Sequence, residues 1–70
     1  MNIEMLRFLV ELSDGGNGAN VVAFAERFPI TQKTKEELDK LRLLGFITPV
    51  YGDDKLAAII VQPKAHNYFL

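Results

Sequence analysis

The residues best suited to bind an anionic ligand lie between positions 31 and 47, in the stretch "TQKTKEELDKLRLLGFI". This stretch contains four of the eight basic residues but only three of the nine acidic ones, in a chain whose net charge is −1. Lys and Arg side chains bind nucleic acid by displacing counterions from phosphates. The low total charge therefore argues against strong non-specific binding, whereas the local excess of basic residues marks this stretch as the candidate for such contacts.

Other residues that could support catalysis lack the partners that catalysis needs. Ser13 is the only serine and has no positioned base in view. Asp53 and Asp54 are adjacent acids in a tight turn, where Asp usually serves turn geometry. The glycines near position 16 have no preceding strand and no following Gly-Lys-Ser or Gly-Lys-Thr, as a phosphate loop would require. Because 70 residues also leave little room for a water-excluding pocket, the sequence predicts no enzyme and no catalytic residue.

Cysteine and histidine usage indicates that the chain holds no metal and no cofactor. It has no Cys and a single His, His66, so it lacks both a disulfide framework and a cluster of metal ligands. We interpret His66 as a structural residue that is exposed or half-buried.

The length predicts a single domain over residues 1–70 that needs a source of stability beyond its own core. A domain of this size buries only about 60% of the surface that its unfolded chain exposes. Without disulfides, self-association is the remaining source of stability, which favours a homodimer. No apolar run approaches the roughly 20 residues of a membrane helix, and no signal peptide is evident, so we expect a soluble cytoplasmic protein with no membrane contact.

Three helices are predicted before residue 46. The first, in "NIEMLRFLVELSDGG", is apolar on most of its circumference, which favours contact with a second subunit. The second follows Asn20 as N-cap and ends at Pro29. The third begins after Thr31, or after Thr34 if Thr34 and Glu37 form a capping box, and we prefer Thr31. It should end at Gly45, with these residues facing inward: Thr34, Leu38 and Leu41.

After Gly45 the apolar residues no longer follow a helical spacing, and the pattern predicts a hairpin and a short helix. "FITPVY" and "KLAAIIV" are β-rich segments joined by "GDD", and Pro49 confines the first of them to a sheet edge. Pro63 suits the first turn of a final helix. Three residues of this last segment are expected to pack on the core: Ala65, Tyr68 and Phe69.

The order helix, helix, tight turn, helix, hairpin is that of the winged helix-turn-helix. "VVAFAERFPITQKTKEELDKLRLLGFI" resembles the second and recognition helices of MarR-like regulators, which show an "LAERLGIS…L..LE..GLI" pattern. The end of the chain, "AAIIVQPKAHNYFL", is similar to small winged-helix proteins of Gram-positive bacteria and their phages, including the YjcQ-like family. The resemblance implies a mainly α, α+β fold: a three-helix core, a two-stranded wing and a short C-terminal helix.

The same resemblance implies a small DNA-binding transcriptional regulator of the kind that phages and mobile elements carry. The third helix, about 31–44, would enter the major groove of double-stranded DNA, and the hairpin 47–61 would be the wing. Gln32 and Lys33 would read base edges, since Gln pairs with adenine and Lys donates to guanine. The remaining predicted contacts go to the DNA backbone, from the lysines Lys35, Lys40 and Lys55 and the hydroxyls of Thr31 and Thr34.

Two alternatives stay open. The polar residues of the third helix could be an ordinary solvated surface, in which Lys and Glu residues three or four apart support the helix. The domain could also be a protein-interaction module that does not bind DNA, which the low net charge and the broad apolar face of the first helix favour.

Overall fold

Four helices and three strands make up the chain. A computed structural model describes all 70 residues. Along the chain the elements are α1 (Ile3–Ser13), β1 (Gly18–Ala19), α2 (Val21–Arg27), α3 (Gln32–Leu43), β2 (Ile47–Gly52), β3 (Lys55–Val61) and α4 (Pro63–Tyr68). The predicted α+β class is confirmed. None of the helices combines the length and the apolar character that crossing a membrane requires.

Polar side chains cap the first three helices at the positions that fix their starts. The Asn2 side chain accepts a hydrogen bond from the Met5 amide at 3.0 Å, and Asn20 accepts one from Ala23 at 2.9 Å. Thr31 accepts one from the Thr34 amide at 3.2 Å, so α3 begins after Thr31 and not after Thr34. Each bond satisfies a backbone donor that the helix itself leaves free.

Left-handed residues end α1 and follow α3. Asp14 terminates α1 at φ 47°, and Gly45 lies just beyond α3 at φ 85°. Gly adopts this conformation without steric cost, which is why Gly45 correctly marks the end of α3 in the sequence.

The three strands form an antiparallel sheet in the order β1-β3-β2. The sequence predicted only the β2–β3 hairpin. The two residues of β1 add a third strand by pairing Gly18 with Ile60 and Ala19 with Ile59. Pro49 lies on an edge strand, as predicted, because β2 has a neighbour on one side only. The hairpin turns through Asp53 and Asp54 at φ 50° and 63°, the left-handed pair that a type I′ turn requires.

A single apolar core lies between the helices and one face of the sheet. Thirteen buried hydrophobic residues form one cluster, to which every element contributes. Phe24 is fully buried and stacks on Phe8 and Phe28 with ring centroids 6.4 and 5.4 Å away. Ala65 of α4 is fully buried, whereas Tyr68 stays exposed and stacks on Phe46 with centroids 5.4 Å apart.

Most of the broad apolar face of α1 is covered within the chain, although Ile3 remains exposed. Four other elements pack against this helix, namely β1, α2, β3 and α4. Met5, Leu6 and Leu9 are buried as a result. Half-buried Phe8, Val10 and Leu12 complete the contact with the core. The composition of α1 therefore reflects contacts inside one domain and does not by itself require a second subunit.

Candidate nucleic-acid interface

The outward face of α3 is defined by the three residues that the core buries. Thr34, Leu38 and Leu41 point inward. Successive residues of an α-helix are rotated by about 100°, so the side chains opposite this buried row can be assigned directly. Gln32, Glu36 and Leu43 lie opposite it and are exposed. We call these three residues the outer row of α3.

Charged residues lie on both sides of the outer row. Lys33 and Lys40 share one flank and are exposed, whereas Lys35 and Asp39 lie on the other. Lys33 and Lys35 are thus on nearly opposite sides of the helix. The sequence grouped Lys33 with Gln32 as a base reader, but the helical geometry assigns Lys33 to a flank.

The hairpin tip lies beside the start of α3. Lys35 of α3 and Lys55 of β3 line the same shallow depression, together with Asp54 of the turn and apolar Ile30 and Leu56. The sequence separates these two lysines by 20 residues, and the fold brings them to one place.

A second depression runs along the outer side of α3. Its lining is entirely polar and consists of Gln32, Lys35, Glu36, Asp39 and Lys40. Lys35 lines both depressions, so it links the outer side of α3 to the hairpin tip. Four of the seven residues predicted to contact DNA therefore line one or other of these two depressions: Gln32, Lys35, Lys40 and Lys55.

Thr34 is not part of this surface. Its side chain is 9% exposed, and its hydroxyl donates to the Pro29 carbonyl at 2.7 Å. The prediction that Thr34 contacts DNA is wrong, because the same side chain joins the turn to the start of α3. Thr31 is exposed, but its hydroxyl oxygen already accepts the amide hydrogen bond that caps the helix.

Two ion pairs within α3 neutralise part of its charge. Lys40 pairs with Glu37 at 3.4 Å, and Arg42 pairs with Asp39 at 2.8 Å. Exposed pairs of this kind contribute about 0–1 kcal/mol, so a phosphate can compete for Lys40. Lys33, Lys35 and Lys55 form no ion pair, and Glu36 is the one acidic residue of α3 without a cationic partner. The sequence assigned no role to Glu36.

The other basic side chains are engaged in packing. Arg7 lies over the Phe69 ring at 4.5 Å, and Arg27 lies over the Phe8 ring at 4.7 Å. Lys64 lies 4.9 Å above the Phe46 ring and donates to the Leu44 carbonyl just after α3. Cation–π contacts stabilise such arrangements and fix the cations in place. The basic groups that form neither an ion pair nor a packing contact of this kind are therefore Lys33 and Lys35 of α3 and Lys55 of the hairpin.

Tyr51 of β2 lies close to the Asp39 flank of α3. Burial raises the pKa of its phenol above 10.0, and the Asp39 carboxylate raises it further. Both effects disfavour the phenolate, so Tyr51 keeps its proton and remains a hydrogen-bond donor at neutral pH. This position beside α3 distinguishes Tyr51 from Tyr68, which stacks on Phe46 at the other end of the hairpin.

His66 has a structural environment. Its Nε2 atom lies 2.9 Å from the Gly16 carbonyl oxygen, which ties α4 to the loop between α1 and β1. The ring is half-buried, in agreement with the structural interpretation from sequence.

Comparisons of the chain with protein-family models, with curated proteins and with solved structures found no match.

Proposed function

We propose that this chain is a winged helix-turn-helix domain that binds double-stranded DNA as a small transcriptional regulator. In this proposal α3 enters the major groove and the β2–β3 hairpin is the wing. The order of the helices and the hairpin supports it, because this is the order that the sequence resemblance implies.

The observation that carries the proposal is the junction at Lys35. Lys35 shares one depression with Gln32 of α3 and another with Lys55 at the hairpin, so it connects the helix surface to the proposed wing. A helix in the major groove has phosphates on both sides and base edges in front of it. The lysines on the two flanks of α3 suit the phosphates, and the outer row suits the base edges.

Charge limits the strength of binding by one subunit. Lys33, Lys35, Lys40 and Lys55 could reach phosphates, while Asp53 and Asp54 at the hairpin tip would oppose them. About four phosphate contacts imply that the log of the affinity falls with the log of the salt concentration with a slope of roughly −3.6. We therefore propose a homodimer that binds two half-sites as the functional unit.

A charge-matched set of variants tests the proposal. Lys35→Gln and Lys55→Gln each remove one positive charge from the proposed surface, and Asn67→Asp changes the net charge equally at an exposed site on α4. Fluorescence anisotropy with a labelled mixed-sequence duplex should give weaker binding for both Lys variants. Their salt slopes should each be smaller by about 0.9. Equal affinities and slopes for all three variants and the wild type would contradict the proposal.

A protein-interaction module is the second candidate, and Leu43 favours it. This outer-row residue is 70% exposed at the end of α3 and the next residue, Leu44, is 45% exposed, so two neighbouring apolar side chains there are available to a protein partner. The acidic hairpin tip also suits a protein partner better than it suits phosphates. In this case Leu43→Ala would weaken partner binding, whereas Lys35→Gln and Lys55→Gln would have little effect.

A further inference from the structure

Glu36 lies at the centre of the surface that would face the bases. It belongs to the outer row of α3, one helical turn after Gln32, and both side chains line the same polar depression. The burial of Leu38 and Leu41 fixes the rotation of α3, so the Cα–Cβ bond of Glu36 points toward any ligand that meets this face.

The carboxylate of Glu36 is free of the ion pairs that occupy its neighbours. Glu37 is paired with Lys40 and Asp39 with Arg42, whereas Glu36 has no cationic partner. Its two oxygen atoms are therefore available as hydrogen-bond acceptors. A free carboxylate repels phosphates, so its favourable place in a DNA complex is in front of base edges, between the lysines of the two flanks.

The hydrogen-bonding groups in the major groove determine which base a carboxylate can bind. An ionised carboxylate only accepts hydrogen bonds, and the donors in the major groove are the amino groups of cytosine and adenine. Adenine presents the acceptor N7 beside its amino group, which repels a carboxylate. Cytosine presents its N4 amino group beside a C–H edge. Glu36 therefore fits cytosine better than any other base.

We propose that Glu36 is a specificity-determining residue that reads a cytosine in the DNA site. This inference rests on the proposed DNA-binding function. It identifies one base of the DNA site that the protein would prefer. Gln32 and Glu36 are four residues apart, a rise of about 6 Å along the helix, against about 3.4 Å for each base pair. The two side chains would then contact bases one or two pairs apart, with Gln32 suited to adenine.

Selection from a randomised duplex library tests the assignment with three proteins. The wild type should enrich sites with an invariant cytosine, and replacing that C·G pair by T·A should weaken its binding by about 5- to 150-fold. Glu36→Gln should lose this discrimination and shift its preference toward adenine, because an amide both donates and accepts. Glu11→Gln is the control, since it removes an equal charge at an exposed position of α1.

The outcomes distinguish a failure of the role of Glu36 from a failure of DNA binding itself. Enrichment of the same cytosine-containing site by wild type and Glu36→Gln would overturn the role of Glu36 and leave DNA binding intact. Enrichment of no duplex by any of the three proteins, even at low salt, would overturn the proposed function and the role of Glu36 with it. Loss of cytosine preference in Glu11→Gln as well would show that the charge of the chain, and not Glu36, sets the preference.

Discussion

Lys35 of α3 and Lys55 of β3 line one shallow depression between the start of the helix and the tip of the hairpin. The two side chains belong to different elements, and their proximity depends on the packing of β2 against α3 and on the pairing of β2 with β3. Neither cation is held by an acidic partner. A phosphate bound here would be contacted by helix and hairpin at once, which is how this surface could combine groove and backbone contacts.

The turn residue Asp54 should oppose DNA binding, and replacing it by Gly should strengthen binding. Asp54 adopts φ 63° beside Lys35 and Lys55, where Gly is unstrained and removes a negative charge. We expect the free energy of unfolding of Asp54→Gly to rise by about 1 kcal/mol and its DNA affinity to rise several-fold at low salt. Urea unfolding and anisotropy titrations measure the two effects.

Asp14 offers the matched control for this variant. It also adopts a left-handed conformation, at φ 47°, but lies at the end of α1. Asp14→Gly should therefore stabilise the fold without strengthening DNA binding beyond the effect of net charge. Equal gains in affinity for both variants would show that the hairpin tip does not approach DNA.

Thr34→Val should destabilise the domain by about 0.5–1.5 kcal/mol. The substitution preserves the shape of the side chain but removes the buried hydrogen bond to the Pro29 carbonyl. That carbonyl also accepts the Thr31 amide at 2.8 Å, so it keeps one partner and the loss stays moderate. DNA affinity of the folded variant should match the wild type, and a reduced affinity at full folding would restore Thr34 to the binding surface.

Gly45→Ala should lower the free energy of unfolding by about 1–2 kcal/mol through backbone strain alone. Gly45 has φ 85°, and the nearest atom to an added Cβ would be Lys64 Cδ at 3.7 Å, an ordinary contact. Gly18→Ala is the comparison, because its surroundings are open and its φ is not left-handed. Chemical denaturation should show a change within about 0.5 kcal/mol for Gly18→Ala, and equal losses in both variants would refute the strain explanation.

Stability should fall as the pH rises past the ordinary tyrosine pKa of 10.0, in part because of Tyr51. Its folded-state pKa is raised by burial and by Asp39, so the unfolded chain releases the phenol proton first. The unfolded state then binds fewer protons than the folded state, and the free energy of unfolding decreases with pH. Tyr51→Phe should lose less stability than wild type in urea unfolding as the pH rises past 10.0. Identical losses would contradict the raised pKa.

The sequence predicted the elements whose ends carry strong local signals. Asn20 and Thr31 cap their helices, Gly45 follows the end of α3, and Pro63 begins α4, because each residue acts on backbone no more than three residues away. The sequence did not predict β1, because two residues, Gly18 and Ala19, are too short a segment to show an alternating pattern. They form a strand only by pairing with β3.

Only those features of the candidate site that depend on the geometry of α3 alone could be predicted from the sequence. The outer row and the flanks of α3 follow from its period once Leu38 and Leu41 are buried. The proximity of Lys35 and Lys55 depends on tertiary packing, and so do the cation–π contacts of Arg7 and Arg27 with aromatic rings. Thr34 was misassigned because a hydroxyl at a helix start suits either a phosphate or a buried carbonyl.

An NMR titration of the isotopically labelled protein with mixed-sequence duplex DNA at low salt tests DNA binding most directly. We expect DNA binding to cause amide shift changes centred on residues 31–43 and 51–56, reversed by added salt, with little change in α1 and α4. An absence of shift changes at high protein and DNA concentrations, or changes centred outside α3 and the hairpin, would contradict it.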